Sequence, residues 1–206
     1  MAVQVYYQSI HDIVINEQLL LTLQPKRREQ LLSFRFEADK KRCAAAGLLL
    51  WEHLYHHHPE RFTVSYNAAG KPSVSSSSIC ASTIPFFNLS HSGDFVILAI
   101  SDTPVGCDIE HLHKAILSHH VFHPKELTRL RSLHEGDARN REFLRLWTAK
   151  EAFLKAIGTG IDANAATYDF SSENSIFLAD GSLWTIEHQT LPDFPEYLSC
   201  ICYKLP

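Results

Sequence analysis

Two successive blocks of the chain follow the same order of hydrophobic patterns, namely a short apolar strand, a stretch with helical periodicity, and further short strands. The first block predicts strands at residues 3–7, 62–66, 85–91 and 95–101, with helical segments over 17–57. The second block predicts strands at 105–110, 167–170, 175–178, 183–188 and 196–203, with helices at 125–133 and 140–157. Helices mixed with runs of consecutive short strands are typical of the α+β class.

Turn and loop signals divide these elements. Ser92-Gly93-Asp94 and Asp180-Gly181 predict tight turns between consecutive strands. Residues 71–85 are rich in serine and predict an exposed loop. The turn signal at Asp102-Thr103-Pro104 lies between the two blocks. We therefore predict two units, residues 1–103 and residues 104–206.

The composition narrows the class of protein without naming a function. The chain has 206 residues, of which 45% are hydrophobic and 20% charged, as in ordinary globular proteins. It has no apolar run of about 18 residues and no basic segment followed by an apolar core at its start, so we expect neither a membrane span nor a signal peptide. Five cysteines without a Cys-x-x-Cys motif favour reduced thiols and a cytoplasmic location.

The charge distribution argues against general nucleic-acid binding, because the net charge is −4. Any positive charge needed to bind phosphates must therefore be local. Basic residues cluster in the predicted N-terminal helices, at Lys26, Arg27, Arg28, Arg35, Lys40, Lys41 and Arg42. A charge run of this kind also occurs on ordinary solvated helix faces, so it does not establish a phosphate site alone.

Two carboxylates lie at alternate positions of one predicted strand, in Gly106-Cys107-Asp108-Ile109-Glu110. Side chains of a strand alternate between its faces, so Asp108 and Glu110 point the same way. Adjacent carboxylates repel each other unless donors or a cation lie between them, and carboxylate oxygens suit Mg²⁺. A solvated strand end carrying two charges fits a bare Asp-x-Glu equally well.

A second chemical segment, Trp147-Thr148-Ala149-Lys150-Glu151-Ala152-Phe153-Leu154-Lys155, lies in a predicted helix that ends before Gly158. Glu151 and Lys155 are four residues apart and share a face. Lys150 is about 100° around the helix from Glu151, and we expect it to approach the same ligand from the side. Glu followed by Lys at i+4 is also an ordinary surface pair.

Four segments in order carry a family resemblance, and they span most of the chain. They are Gly70-Lys71-Pro72, Asn88-Leu89-Ser90-His91-Ser92, the strand with Asp108 and Glu110, and the helix with Lys150, Glu151 and Lys155. Together they resemble the 4′-phosphopantetheinyl transferases, and within them the monomeric type that activates peptide and polyketide synthases. This resemblance implies two similar lobes of helices and antiparallel β-meander, related by pseudo-twofold symmetry, with the active site in the cleft between them.

The resemblance also implies ligands and residue roles. It implies Mg²⁺ bound by Asp108, Glu110 and Glu151, with Mn²⁺ as a possible substitute. It implies that Glu151 and Lys155 are catalytic, although whether Glu151 is the base, a metal ligand or both stays open. Coenzyme A is the implied co-substrate, and its phosphates and nucleotide are assigned to Arg27, Arg42, Lys71, Ser90, His91, Lys150 and Lys155. Gln30 stands where the family often has a lysine.

The implied reaction moves 4′-phosphopantetheine from coenzyme A to a serine of an apo acyl or peptidyl carrier protein and releases 3′,5′-ADP. Two alternatives stay open: a module that binds coenzyme A or a carrier protein without turnover, and a metal-dependent phosphohydrolase. For the acidic carrier, basic and apolar residues after the metal strand suggest a docking surface. They are His111, His113, Lys114, Lys125, Arg129 and Arg131, beside Leu112, Ile116, Leu117, Val121 and Phe122.

Overall fold

The computed structural model describes residues 3–55, 63–66, 72–75, 85–113, 116–161, 164–171 and 175–206. The N-terminal half contains β1 (Gln4–Ser9), α1 (Glu17–Thr22), α2 (Pro25–Ser33), α3 (Glu37–Leu50), β2 (Thr63–Tyr66), β3 (Pro72–Ser75), β4 (Phe86–Ser92) and β5 (Phe95–Ser101). The C-terminal half contains β6 (Val105–His111), α4 (Pro124–Ser132), α5 (Asp137–Ile157), β7 (Ser175–Phe177), β8 (Leu183–Leu191) and β9 (Phe194–Lys204). The mixture of helices with antiparallel sheet confirms the α+β class.

The N-terminal half is built on an antiparallel sheet in the order β1-β5-β4. Helix α3 packs on this sheet through a row of small buried residues, among them Ala44 and Ala45, which allow a close approach. Helix α1 begins at the side chain of Asn16, which accepts a hydrogen bond from the Leu19 amide, and α2 begins with Pro25 at its first position. β2 and β3 form a separate antiparallel pair.

The C-terminal half is built on a four-stranded antiparallel sheet in the order β6-β9-β8-β7. Helix α5 crosses β6 and β9. Its buried apolar residues, among them Phe143, Leu146 and Phe153, pack with Trp184 and Ile186 of β8 and Cys200 and Cys202 of β9. It ends where Gly158 takes a left-handed conformation (φ 80°), which a side chain would strain. This helix and β6 carry most of the predicted site.

The two sheets meet through a shared apolar layer. This layer contains Phe95 and Ile97 of β5 together with Val105, Cys107 and Ile109 of β6. The odd-numbered positions of β6 therefore lie in this layer, and the even-numbered positions Asp108 and Glu110 share the other face, as the alternation predicts.

A close contact between β6 and α5 fixes the depth at which the helix lies. A Cβ atom on Gly106 would lie 2.1 Å from the Ala152 carbonyl oxygen and 2.4 Å from the Ala156 amide nitrogen. Only glycine fits at this point. Because Gly106 has no side chain, α5 can approach the strand that carries the two carboxylates.

Some predictions about the elements are wrong. No strand forms at 167–170, because Ala165–Thr167 is a short 3₁₀ helix and the residues after it run without regular structure. The expected loop at 71–85 contains strand β3. The unit boundary at 103/104 and the pseudo-twofold relation stay predictions. No helix among the described residues has both the length and the hydrophobicity to cross a membrane.

Candidate functional site

A pocket of about 320 Å³ opens where β4, β6 and α5 meet. It is lined by Leu89, Ser90, His91, Asp108, Glu110, Glu151 and Lys155. Six of these seven residues belong to the predicted site, and they come from three segments that are distant in the sequence. The fold therefore brings together the three carboxylates, Lys155 and the Ser-His pair.

Side chains of β4 reach across to β6 at alternate positions. Ser90 donates a hydrogen bond to Asp108 Oδ1 at 2.8 Å, and Ser92 donates one to Glu110 Oε2 at 2.8 Å. Asn88, at the same spacing, accepts a hydrogen bond from the Cys107 amide through its Oδ1 at 3.0 Å. Every second residue of β4 thus contacts β6, which ties the two halves together beside the carboxylates.

Helix α5 presents one stripe of side chains to the same carboxylates, at intervals of four residues. Trp147 Nε1 donates to Glu110 Oε1 at 3.2 Å. Lys155 Nζ donates to Asp108 Oδ1 at 2.6 Å and to Ser90 Oγ at 3.0 Å. Glu151 lies between these two positions on the helix and faces the pocket.

The carboxylates of the pocket carry more negative charge than Lys155 balances. Burial raises the pKa of Asp108, although Lys155 and Ser90 favour its charged form. Burial also raises the pKa of Glu151, and the charges of Asp108 and Glu110 raise it further against the opposing effect of Lys155. Burial alone would lower the pKa of Lys155, but Asp108 raises it above its usual value. A second cation would relieve this imbalance.

The donor chemistry of the pocket fits a hard divalent cation. Oδ2 of Asp108 is buried and has no hydrogen-bond partner among the described residues, so its capacity to accept is unused. Asp108, Glu110 and Glu151 offer the carboxylate oxygens that Mg²⁺ prefers. Within the described part of the chain, no three His, Cys, Asp or Glu side chains are yet arranged around a common metal position. The three-carboxylate metal site therefore stays a prediction.

His91 lies at the exposed rim of the pocket. Partial desolvation lowers the pKa of His91, and the nearby charges of Arg42 and Lys155 lower it further. Arg42, on α3, donates to the Gly93 carbonyl at 2.8 Å and pairs with Asp39 at 2.6 Å. The structure therefore brings Arg42 near His91, although it does not line the pocket.

Of the residues predicted to bind coenzyme A, Arg27 lies away from the pocket and Lys71 lies outside the described residues. Arg27 is on α2, where the stem of its side chain packs against Gly47 of α3. It does not line the pocket. Lys71 lies outside the described residues, so its predicted contact with the nucleotide stays a prediction.

The predicted role of Lys150 requires a correction, because its side chain does not line the pocket that Glu151 faces. Its side chain is 1% exposed and points into the core between α5 and α4. Its ammonium donates to the carbonyl oxygens of Ala165 at 3.0 Å and Tyr168 at 2.7 Å, and pairs with Glu126 at 3.1 Å. The step of about 100° from Glu151 turns it away from β6.

The partner of Lys150 was not predicted as a functional or structural residue. Glu126 is fully buried and also accepts hydrogen bonds from the amides of His123 and Phe170, both at 2.8 Å. Burial raises the pKa of Glu126 although Lys150 opposes this, and burial lowers the pKa of Lys150 although Glu126 opposes that. The pair links α4, α5 and the segment around residues 165–170.

Two further residues that contact the carboxylates were not predicted as site residues, namely Ser92 and Trp147. Ser92 could have been identified from the alternation of β4, because it lies two positions after Ser90 on the same face. Trp147 could have been identified from its position four residues before Glu151. Both signals follow from the spacing alone.

Comparison with known families covers nearly the whole chain. Residues 104–202 match the model of the 4′-phosphopantetheinyl transferase superfamily. Residues 15–103 match the model described as 4′-phosphopantetheinyl transferase, N-terminal. The two matches are adjacent and do not overlap.

Individual relatives agree with these matches. The 4′-phosphopantetheinyl transferase psf-1 of Bacillus pumilus is 32% identical over 92% of this chain and 82% of its own length. A Synechocystis protein named for the same activity is 33% identical over 65% of this chain, and the match spans 56% of that protein. The L-aminoadipate-semialdehyde dehydrogenase-phosphopantetheinyl transferase of Xenopus laevis is 28% identical over 80% of this chain and 63% of its own length.

Proposed function

This chain belongs to the 4′-phosphopantetheinyl transferase superfamily, and from that premise we propose that it acts on coenzyme A and a carrier protein. The proposed reaction transfers the 4′-phosphopantetheine arm to a serine of an apo acyl or peptidyl carrier protein and releases 3′,5′-ADP. The observation that carries the proposal is the single pocket that contains Asp108, Glu110, Glu151, Lys155 and His91.

We assign the nucleotide end of coenzyme A to the side of the pocket formed by β4 and α3. His91 and Arg42 bind the 3′-phosphate, with Ser90 at the pocket wall, because a guanidinium and an imidazole N–H both donate hydrogen bonds to phosphate oxygens. Arg42 already bonds the backbone of the turn that follows His91, so the two donors approach the phosphate from neighbouring positions. We also assign Lys71 and Arg27 to the nucleotide, as the family resemblance implies.

We assign the divalent cation, Mg²⁺ or Mn²⁺ as a substitute, to Asp108, Glu110 and Glu151. When bound, such an ion would neutralise negative charge on the pyrophosphate and stabilise the charge that develops on the leaving group. The unpartnered Oδ2 of Asp108 and the charge imbalance of the pocket support this assignment.

The residues of α5 handle the proton and the developing charge. The serine oxygen of the carrier forms a bond to the phosphorus that carries pantetheine, and the bond from that phosphorus to the ADP oxygen breaks. Glu151 accepts the proton of the serine hydroxyl, because its carboxylate faces the pocket. The ammonium of Lys155 stabilises negative charge on the phosphates.

The carrier docks, in this proposal, on the exposed surface that follows β6. Phe122 is 1% exposed, so it belongs to the core and not to this surface, which corrects the earlier expectation. Lys125 pairs with Asp169 at 3.2 Å, and Arg129 pairs with Glu142. Lys125 and Arg129 are exposed but already engaged in these ion pairs, so we represent the docking surface by His111, Ile116 and Arg131, which are exposed as well. Lys114 lies outside the described residues.

The proposal includes a cytoplasmic monomer made of two similar lobes, residues 1–103 and 104–206, related by pseudo-twofold symmetry. Cys43, Cys107, Cys200 and Cys202 are buried thiols, which fits a reducing compartment. The contacts between β4 and β6 support a site that both lobes share.

One assay separates the proposed reaction from its two alternatives. The protein is incubated with coenzyme A, Mg²⁺ and an apo carrier, and both the carrier mass and the coenzyme A are measured. A carrier that gains the phosphopantetheine mass on its serine supports transfer. Breakdown of coenzyme A without a carrier indicates a phosphohydrolase, and binding without either change indicates a module that does not turn over.

A further inference from the structure

Ser92, the last residue of β4, contacts a predicted metal ligand without belonging to any assigned group of the site. Its hydroxyl donates to Glu110 Oε2 at 2.8 Å. The same hydroxyl oxygen accepts a hydrogen bond from the His111 amide at 3.2 Å. A serine hydroxyl has one proton, and an amide can only donate, so the proton of Ser92 is directed to Glu110.

The second oxygen of Glu110 is also held. Trp147 Nε1, from α5, donates to Glu110 Oε1 at 3.2 Å. Each carboxylate oxygen therefore accepts one hydrogen bond from the protein and keeps further lone-pair capacity for another ligand. The two donors come from different elements, β4 and α5, so they restrict the rotation of the carboxylate from both sides.

The turn after Ser92 is held by one residue of β9 and one of α3, which makes Ser92 a fixed donor. Gly93 has a φ of 52°, and a Cβ atom there would lie 2.2 Å from the Tyr197 hydroxyl. The Asp94 amide donates to this hydroxyl at 3.0 Å, and Arg42 donates to the Gly93 carbonyl at 2.8 Å. The position of Ser92 therefore depends on α3 and β9 as well as on its own strand.

From this geometry we propose that Ser92 is a positioning residue, which together with Trp147 holds the carboxylate of Glu110 in the orientation that binds the divalent cation. The inference rests on the proposed function, because it assumes that Glu110 is a metal ligand. Groups that orient metal ligands commonly change metal affinity by about 10–100-fold when they are removed.

The test measures Mn²⁺ binding by electron paramagnetic resonance, with the full chain and coenzyme A present and no carrier. We expect Ser92→Ala to weaken Mn²⁺ binding by about 10–100-fold and Ser92→Thr, which keeps the hydroxyl, to restore most of it. Ser101→Ala is the matched control. Like Ser92, Ser101 is the last residue of its strand and accepts a hydrogen bond from a backbone amide, in this case that of Thr103. Its hydroxyl contacts the Thr103 hydroxyl and not a carboxylate.

A double-mutant cycle distinguishes positioning from a general structural role. In a Glu110→Gln background, Ser92→Ala should cause no further loss of Mn²⁺ affinity. An equal loss in both backgrounds, or wild-type affinity in Ser92→Ala itself, would overturn the inference. If Ser92→Ala does not fold, Trp147→Phe removes the other donor and keeps an aromatic ring against Phe143, so it should show the same cycle with Glu110.

The cycle also separates failure of this inference from failure of the proposed metal site. If Glu110→Gln weakens Mn²⁺ binding and Ser92→Ala does not, the role of Ser92 is wrong and the metal site stands. If Glu110→Gln leaves Mn²⁺ affinity at the wild-type value, the assignment of Glu110 as a ligand is wrong and the inference about Ser92 falls with it.

Discussion

The ammonium of Lys155 lies 2.6 Å from Oδ1 of Asp108, and this ion pair joins α5 to β6 at the pocket. Ser90 of β4 contacts both partners, so all three elements of the pocket meet at one cluster. The other oxygen of Asp108 stays buried without a partner among the described residues. One oxygen of this carboxylate thus holds three elements together, and the other keeps its capacity to accept unused.

Replacing the acids of the pocket should nearly abolish transfer. Asp108→Asn keeps the shape of the side chain but removes the charge, so we expect a loss of transfer on the order of 10²-fold or more. Glu151→Gln should behave similarly. Circular dichroism and thermal unfolding would confirm that each variant folds. Wild-type turnover by one of these variants at limiting Mg²⁺ would show that the replaced acid is neither a metal ligand nor the base.

His91 should affect the binding of coenzyme A more than the chemical step. A hydrogen bond to a charged phosphate contributes about 1.5–3 kcal/mol, so His91→Ala should raise the KM for coenzyme A by about 10–100-fold with a smaller change in kcat. With 3′-dephospho-coenzyme A as substrate, the variant and the wild type should differ little. Equal impairment with both substrates would mean that His91 does not contact the 3′-phosphate.

The pKa of His91 in the free protein should lie below its usual value of 6.5, because desolvation and the charge of Arg42 oppose protonation. Below 6.5 the folded protein then binds fewer protons than the unfolded chain. The contribution of the neutral ring to stability is therefore present above pH 6.5 and is lost as pH falls through the lowered pKa. An NMR titration of the ring measures the value, and Arg42→Gln should raise it. An unchanged pKa in that variant would show that Arg42 is not near His91.

Lys150 should act on stability and not on the affinity for coenzyme A. Lys150→Met leaves Glu126 buried without its cation, and breaking such a buried pair costs about 3–5 kcal/mol. The double variant Lys150→Met with Glu126→Gln should recover part of this loss, because no uncompensated charge remains. Chemical denaturation measures both. A Lys150→Met protein with wild-type stability and a raised KM for coenzyme A would instead support a phosphate contact.

Docking of the carrier should depend on the exposed residues after β6. Arg131→Glu and Ile116→Ser should raise the KM for the carrier, because both residues are exposed, Ile116 by 69%. The KM for coenzyme A should stay unchanged, because neither residue lines the pocket. The carrier KM of the wild type should also rise with salt. Lys204→Glu is a control at the opposite end of the β6–β9 pair from His111. Unchanged carrier KM in Arg131→Glu at low salt would locate docking elsewhere.

Much of the pocket could be predicted from periodicity alone. Alternation along β6 puts Asp108 and Glu110 on one face, and the helical repeat puts Glu151 and Lys155 on one stripe. Both rules depend only on local geometry, so they hold in the structure. The alternation of β4 after Ser90 would have included Ser92, and the repeat of α5 extended back by four residues would have included Trp147.

The remaining features depend on contacts between distant segments. The helical repeat shows that Lys150 is turned from Glu151, but not that Glu126 lies in that direction. Residues 167–170 have strand-like composition, yet Ala165–Thr167 forms a 3₁₀ helix and the carbonyls of Ala165 and Tyr168 accept hydrogen bonds from Lys150. In both cases the outcome depends on a contact between segments that are distant in the sequence, which local propensity does not reveal.

A structure of the protein crystallised with coenzyme A and Mn²⁺ tests the central claim most directly, because the claim is that one pocket binds both. Anomalous scattering from Mn²⁺ should give a single strong peak beside Asp108 Oδ2, Glu110 and Glu151, with the pyrophosphate next to it and the 3′-phosphate beside His91. Coenzyme A bound with its phosphates away from these residues, or Mn²⁺ bound only at other acidic positions, would contradict the account.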